Sequence, residues 1–114
     1  MAKLPDQTLT TIFGLQRQLA ESIEEASALE WALFEQYGET ELTIPELEEL
    51  QNARERLTLP YSRLHTLLLR ILESQPIASD AMLNLLAQAI EQAQAAADAA
   101  TASVREIKRN WNLQ

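Results

Sequence analysis

Few side chains in this sequence could do chemistry, and the most obvious is the single histidine, His65. Helical metal sites pair a histidine with a carboxylate or a second histidine three or four residues away, so that both ligands share one face. Positions 61, 62, 68 and 69 are Tyr, Ser, Leu and Leu. There is also no cysteine, no glycine-rich phosphate loop and no nucleophile motif. The sequence therefore predicts no catalytic residue, no metal ligand set and no cofactor site.

Acidic residues cluster around the connection after the first predicted helix and at the start of the second. The cluster consists of Glu39, Glu41, Glu46, Glu48 and Glu49. Calcium loops need acids at alternate positions around a central glycine, and this spacing does not match. Carboxylates at the start of a helix are stabilised by its dipole, which favours a solvated acidic end of the molecule. The alternative is a weak site for a cation or for a basic partner.

Basic residues form one line along the second predicted helix, because Arg56, Arg63 and Arg70 are spaced seven apart. Glu91 and Asp98 form an acidic pair with the same spacing on the third helix. The arginines are interpreted as exposed surface charges that contribute little to stability. The alternative is interhelical pairing of Arg63 with Glu91 and of Arg56 with Asp98.

Composition limits the possible partners. The chain of 114 residues carries a net charge of -8, which repels nucleic acid, so no nucleic-acid partner is expected. No apolar run approaches the roughly 20 residues that a membrane span needs. The segment "MAKLPDQTLTT" lacks the basic start and apolar run of a secretory signal. The expectation is a single cytoplasmic domain over residues 1–114 with no membrane partner.

Hydrophobic periodicity predicts an all-α fold, an antiparallel up-down-up bundle of three long helices at about 6–37, 44–74 and 79–112. Predicted end signals are Asp6, Gly38, a Thr43/Glu46 capping box and Ser79. The apolar seam of the first helix is Leu9, Ile12, Leu15, Leu19, Ile23, Ala26, Leu29 and Leu33. That of the second is Leu47, Leu50, Arg54, Leu57, Tyr61, Leu64, Leu68 and Ile71, and that of the third is Leu83, Leu86, Ile90, Ala93, Ala97, Ala100, Val104, Ile107 and Trp111.

The second seam keeps its steps of three and four across Pro60. A separate short helix would have no reason to keep that spacing. The sequence therefore favours one helix kinked at Pro60, with a break near Thr58 as the alternative.

The third helix is unusually rich in alanine, since nine of the sixteen residues from 87 to 102 are alanine. Small seam residues allow close helix approach or leave room for a bulky side chain from a facing helix. Alanine also occupies the opposite side of this helix. The first explanation is a solvated face of good helix formers, and the second is a face packed against a second copy of the chain.

Apolar residues outside the seams favour the second explanation and a homodimer. The candidate interface consists of Trp31, Phe34, Leu59, Leu69, Leu85, Ala95, Ala99 and Ala102.

The favoured function is a non-enzymatic protein–protein interaction or scaffold domain with an unknown protein partner. The alternative is a small regulatory or adaptor subunit, possibly transcription-linked in role, that acts through the basic C-terminal segment "VREIKRNW". Removing residues 105–114 would hardly affect a scaffold that uses the Trp31 and Phe34 end, but would abolish adaptor binding. An enzyme is the least favoured class, because no acid, base and metal set converges.

Overall fold

The computed structural model describes residues 4–113 and contains three long helices packed against one another, with no strand in that range. They are α1 (Asp6–Tyr37), α2 (Ile44–Glu73) and α3 (Asp80–Asn110). Each bound lies within two residues of the one predicted from periodicity. The elongated bundle measures 57 × 20 × 17 Å.

Polar contacts between helices fix their directions. Arg54 of α2 contacts Glu30 of α1, and Arg63 of α2 contacts Gln92 of α3. The second half of α1 therefore lies against the first half of α2, and the second half of α2 lies against the first half of α3. Lys108 Nζ lies 2.9 Å from Glu25 Oε1, which places the second halves of α1 and α3 side by side. Consecutive helices are therefore antiparallel, and α1 and α3 run in the same direction.

Two helix ends lie at the residues predicted to cap them, and the start of α1 does not. Gly38 is the C-cap of α1, as predicted, and donates its backbone N–H to the Phe34 carbonyl at 2.7 Å. Its φ of 71° is positive, but its ψ of -167° lies outside the left-handed helical region that the prediction assumed. Ser79 caps α3, because its side chain accepts a hydrogen bond from the Met82 N–H at 3.2 Å. The prediction of Asp6 as an N-cap is wrong, since the cap position is Pro5 and Asp6 is the first helical residue.

The predicted capping box at Thr43 is also wrong. The Thr43 hydroxyl donates to the Gly38 carbonyl at 2.7 Å and accepts from the Thr40 N–H at 2.8 Å. The backbone of Thr43 is itself helical, with φ -89° and ψ -29°. The side chain is thus buried within the connection, where it stabilises the turn between α1 and α2 rather than the first turn of α2.

Helix α2 runs without interruption from Ile44 to Glu73 with Pro60 inside it, so the alternative of a break near Thr58 is wrong. Leu57 and Leu64, on either side of the proline, are both fully buried. Continuous packing against the other helices offsets the hydrogen bond that proline removes from the helix. The kink itself stays a prediction.

The core follows the three seams with two exceptions. Tyr61 is 37% exposed and Leu83 is 38% exposed, so their assignment to the core is wrong. Within the helices, three residues outside the seams are buried instead, and these are Ala53, Leu67 and Ala89. The reason is geometric: each helix touches two neighbours, so the covered stripe is wider than a single heptad seam.

The alanines of the α3 seam occupy the middle of the core. Ala93 and Ala97 are fully buried, in one cluster with Leu19 of α1 and Leu57 of α2. Bulky side chains of the facing helices therefore lie against the small ones of α3. This packing explains the buried alanines of α3, whereas the exposed alanines need a separate explanation.

Candidate interaction surfaces

The first candidate surface is a groove between α1 and α2 near their shared connection, named here the aromatic groove. Trp31 and Phe34, which are 66% and 50% exposed, line it from α1. Ile44 and Leu47 line it from the start of α2. Its volume is about 510 Å³. Exposed aromatic side chains beside aliphatic ones are typical of the anchoring part of a protein interface.

The charged residues of the aromatic groove are mostly acidic. Glu30, Glu39 and Glu48 line it, and among residues 4–113 the one cation that lines it is Arg54. Arg54 is engaged within the chain, since its Nη2 lies 3.2 Å from Glu30 Oε2, and its Nε is buried without an acceptor. The pair of Glu30 and Arg54 is neutral, so Glu39 and Glu48 leave the groove negatively charged.

A shallow depression extends the aromatic groove along α1 from Trp31. The further residues lining it are Ala20, Ile23, Glu24, Ser27 and Ala28. Most of these side chains are small, so a second helix could approach the backbone of α1 closely here.

The second candidate surface is the groove between α2 and α3, named here the arginine groove. Leu59, Arg63 and Arg70 line it from α2, and Leu85 and Gln92 line it from α3. Its volume is about 460 Å³, and no carboxylate lies among the residues between 4 and 113 that line it. Arg63 Nη1 donates to Gln92 Oε1 at 3.0 Å across the groove.

A smaller hollow of about 210 Å³ lies further along the same two helices. Ala96, Ala99 and Ala100 line it from α3, and Ala53 and Arg56 line it from α2. One exposed alanine of α3, Ala99, therefore borders a hollow that continues the line of the arginine groove, and the groove and the hollow together form the α2/α3 face.

The predicted pairing of Arg63 with Glu91 and of Arg56 with Asp98 is wrong. Arg63 bonds Gln92, and Arg56 Nη2 bonds Glu49 Oε1 at 3.0 Å on its own helix. Neighbouring residues on a helix point about 100° apart, so Glu91 and Asp98 are turned to the outer side of α3. The arginines and the acids do repeat every seven residues, but the rotation of α3 places Gln92 opposite Arg63 and Ala99 opposite Arg56.

The structure divides the predicted interface residues between the two surfaces. Trp31 and Phe34 line the aromatic groove, whereas Leu59, Leu85 and Ala99 line the α2/α3 face. Ala95 and Ala102 are exposed on α3 near Ala99, and Leu69 is exposed on α2 without lining a groove.

The sequence analysis did not predict that Ile44 lines the aromatic groove, or that Arg63 and Arg70 line a groove. The heptad repeat of arginines was the only signal that could have located the arginine groove.

The basic C-terminal segment is part of the bundle. Val104 and Ile107 are buried, and Lys108 pairs with Glu25. Trp111 packs against Tyr37 with ring centroids 5.0 Å apart, and its Nε1 donates to Glu46 Oε2 at 3.2 Å. Removing residues 105–114 would therefore disrupt the end of the bundle, and such a truncation would not separate adaptor binding from folding.

Residues 4–113 contain neither a candidate metal site nor a candidate membrane span. No group of three or more histidine, cysteine, aspartate or glutamate side chains is placed there to hold a metal ion. None of the three helices is both long enough and apolar enough to cross a membrane.

Comparison with known proteins gave no match to a family model, to a curated protein or to a solved structure.

Proposed function

We propose that the protein is a non-enzymatic interaction or scaffold domain that works as a homodimer and presents helical faces to a protein partner. The observation that carries the proposal is that exposed apolar residues line two grooves of different charge, with Trp31, Phe34 and Ile44 in the aromatic groove and Leu59 and Leu85 in the arginine groove. Each groove has the size and the mixture of apolar and polar groups of a binding surface. We place the protein in the cytoplasm, with neither a nucleic-acid partner nor a cofactor.

The α2/α3 face is the proposed dimer contact. Ala99 and the half-buried Ala96 allow a helix of a second copy to approach closely, while Leu59 and Leu85 supply larger apolar area. In a two-fold dimer the same face contributes twice, so a residue on α2 of one copy can meet α3 of the other.

Charge on this face supports contact between copies. Among residues 4–113, Arg63, Arg70 and Glu91 form no ion pair within the chain. Glu91 and Asp98 lie beside this face, on the outer side of α3, so in a dimer they would meet the arginines of the other copy only at the edge of the contact. Partly desolvated pairs of this kind contribute mainly to the specificity of association.

The test is sedimentation equilibrium of the wild type and of Ala99→Arg, each at several concentrations. We expect the wild type to sediment as a dimer of the 12.8 kDa chain and the variant as a monomer. An arginine is too large for an alanine-lined contact, and its charge would be desolvated without a partner.

The matched control is Ala87→Arg, because Ala87 is also exposed on α3 but lies about 120° around the helix from Ala99. This variant should remain dimeric. A monomeric wild type would eliminate the dimer proposal. Equal dissociation of both variants would show that the effect does not come from the α2/α3 face.

The contacts of the C-terminal segment favour the scaffold over the adaptor hypothesis. Its apolar side is buried in the bundle, and Lys108 is engaged by Glu25. A partner can bind only to side chains that the bundle leaves exposed, and the aromatic groove exposes Trp31 and Phe34.

A further inference from the structure

We infer that the aromatic groove binds a basic amphipathic helix of a partner protein. This inference rests on the proposed interaction function and identifies the chemistry of the partner. It concerns the α1/α2 side of the bundle, and is therefore separate from the proposed dimer contact on the α2/α3 face.

The apolar anchor of the groove is already formed in the single chain. Trp31 and Phe34 lie three residues apart on α1 and therefore on adjacent parts of one face. Both remain about half or more exposed although Leu33, between them, is fully buried. Tryptophan is among the residues that contribute most to binding when a partner covers it. An apolar side chain of the partner would fill the space between this pair and Ile44 and Leu47.

The shape of the surface favours a helix over an extended peptide. The groove runs between two antiparallel helices, and the depression along α1 extends it as far as Ala20. From Ala20 to Phe34 the rise along α1 is about 21 Å, which matches about four turns of a docked helix. Ala20, Ser27 and Ala28 leave room for its backbone along this length. The arrangement is the helix-in-groove mode of recognition.

The charge of the surface determines the polar side of the partner. Glu24, Glu39 and Glu48 border the groove and its extension, and none of them takes part in an ion pair among residues 4–113. Arg54, the one lining cation in the described part of the chain, is paired with Glu30. Lysine or arginine residues beside the apolar stripe of the partner would therefore meet unpaired carboxylates.

The same charge argues against a second copy as the occupant. In a two-fold contact through this groove, a second copy would bring its own Glu39 and Glu48 against those of the first. Like charges brought together across an interface are unfavourable, and they suppress association. A basic helix from a different protein removes this conflict.

The test uses two fluorescently labelled, designed peptides of about eighteen residues, which would form about five helical turns. Both carry a leucine stripe, and the other face is lysine in one peptide and glutamate in the other. Fluorescence anisotropy with the full-length protein measures each Kd. We expect the lysine peptide to bind at least about tenfold more tightly than the glutamate peptide, with a preference that decreases as salt is added.

Substitutions locate the binding. Trp31→Ala should weaken lysine-peptide binding about tenfold or more, as for a central interface tryptophan. Phe13→Ala is the matched control, since Phe13 is a similarly exposed aromatic of α1 outside the groove and its extension, and it should leave the Kd unchanged. Glu39→Gln combined with Glu48→Gln should reduce the difference between the two peptides.

The outcomes separate this inference from the dimer. Ala99→Arg should bind the lysine peptide like the wild type, and a wild type that is monomeric but binds that peptide would overturn only the dimer. Equal or absent binding of both peptides, or full binding by Trp31→Ala, would overturn the inference. A Trp31→Ala protein that becomes monomeric would assign the groove to a second copy, and would overturn it as well.

Discussion

The alanine seam of α3 makes a quantitative prediction, because Ala97 and Ala87 lie on the same helix in opposite environments. Ala97 is fully buried against a core that includes Leu19 and Leu57, whereas Ala87 is exposed. Ala97→Leu would add three carbon atoms at a site with no exposed surface, so α3 would have to move away from its neighbours. Overpacking of this kind costs about 1–3 kcal/mol.

The matched control is Ala87→Leu, which adds the same atoms on the exposed side of the helix. Leucine and alanine both have high helix propensity, so this change should stay within about 0.5 kcal/mol. Urea unfolding followed by circular dichroism measures both values at one protein concentration. For a chain of this size, the Ala97→Leu cost corresponds to roughly 4–12 °C in Tm.

Two results would contradict this reasoning. An Ala97→Leu protein as stable as the wild type would mean that α3 does not approach its neighbours closely at its alanines. An equal loss in Ala87→Leu would mean that the exposed side of α3 is also packed. In the second case the free energy of unfolding should change with protein concentration, as for a dimer.

The remaining stability predictions concern the connection between α1 and α2. Gly38→Ala should cost about 1–2 kcal/mol, because Gly38 has φ 71° and only glycine adopts this conformation without strain, although there is space for a methyl group. Gly14→Ala, inside α1 and with equal space, should instead stabilise by about 0.5–1 kcal/mol. Thr43→Val should cost about 1–3 kcal/mol, since it leaves the Gly38 carbonyl and the Thr40 N–H without their partner. Urea unfolding checks all three, and a Gly38→Ala protein as stable as Gly14→Ala would contradict the first two.

Local features of the sequence were enough to predict the helices and most of the core. Steps of three and four place apolar side chains on one side of a helix regardless of what covers them. Gly38 and Ser79 act on backbone groups only a few residues away, so their effects could be predicted without the fold. Thr43 was predicted wrongly because Thr40 and the Gly38 carbonyl, brought close by the turn, compete for its hydroxyl.

The candidate surfaces could be predicted only in part. Trp31, Leu59 and Leu85 were identified as apolar residues outside the seams, but periodicity within one helix does not determine which helix flanks it on either side. The structure places Trp31 opposite the start of α2, and Leu59 opposite Leu85. A groove is a property of two helices, so its lining depends on their relative rotation and axial position.

The sequence by itself determined where the helices lie, which side of each is apolar, and that the α3 seam is small in its middle. Only the tertiary structure decided that Arg63 faces Gln92 rather than Glu91, and that Ala99 borders a hollow while Ala97 lies in the core. The physical reason is that helix formation depends on bonds within one segment, whereas pairing between helices depends on rotation. One residue step turns a side chain by about 100°, enough to move it from the core to the surface.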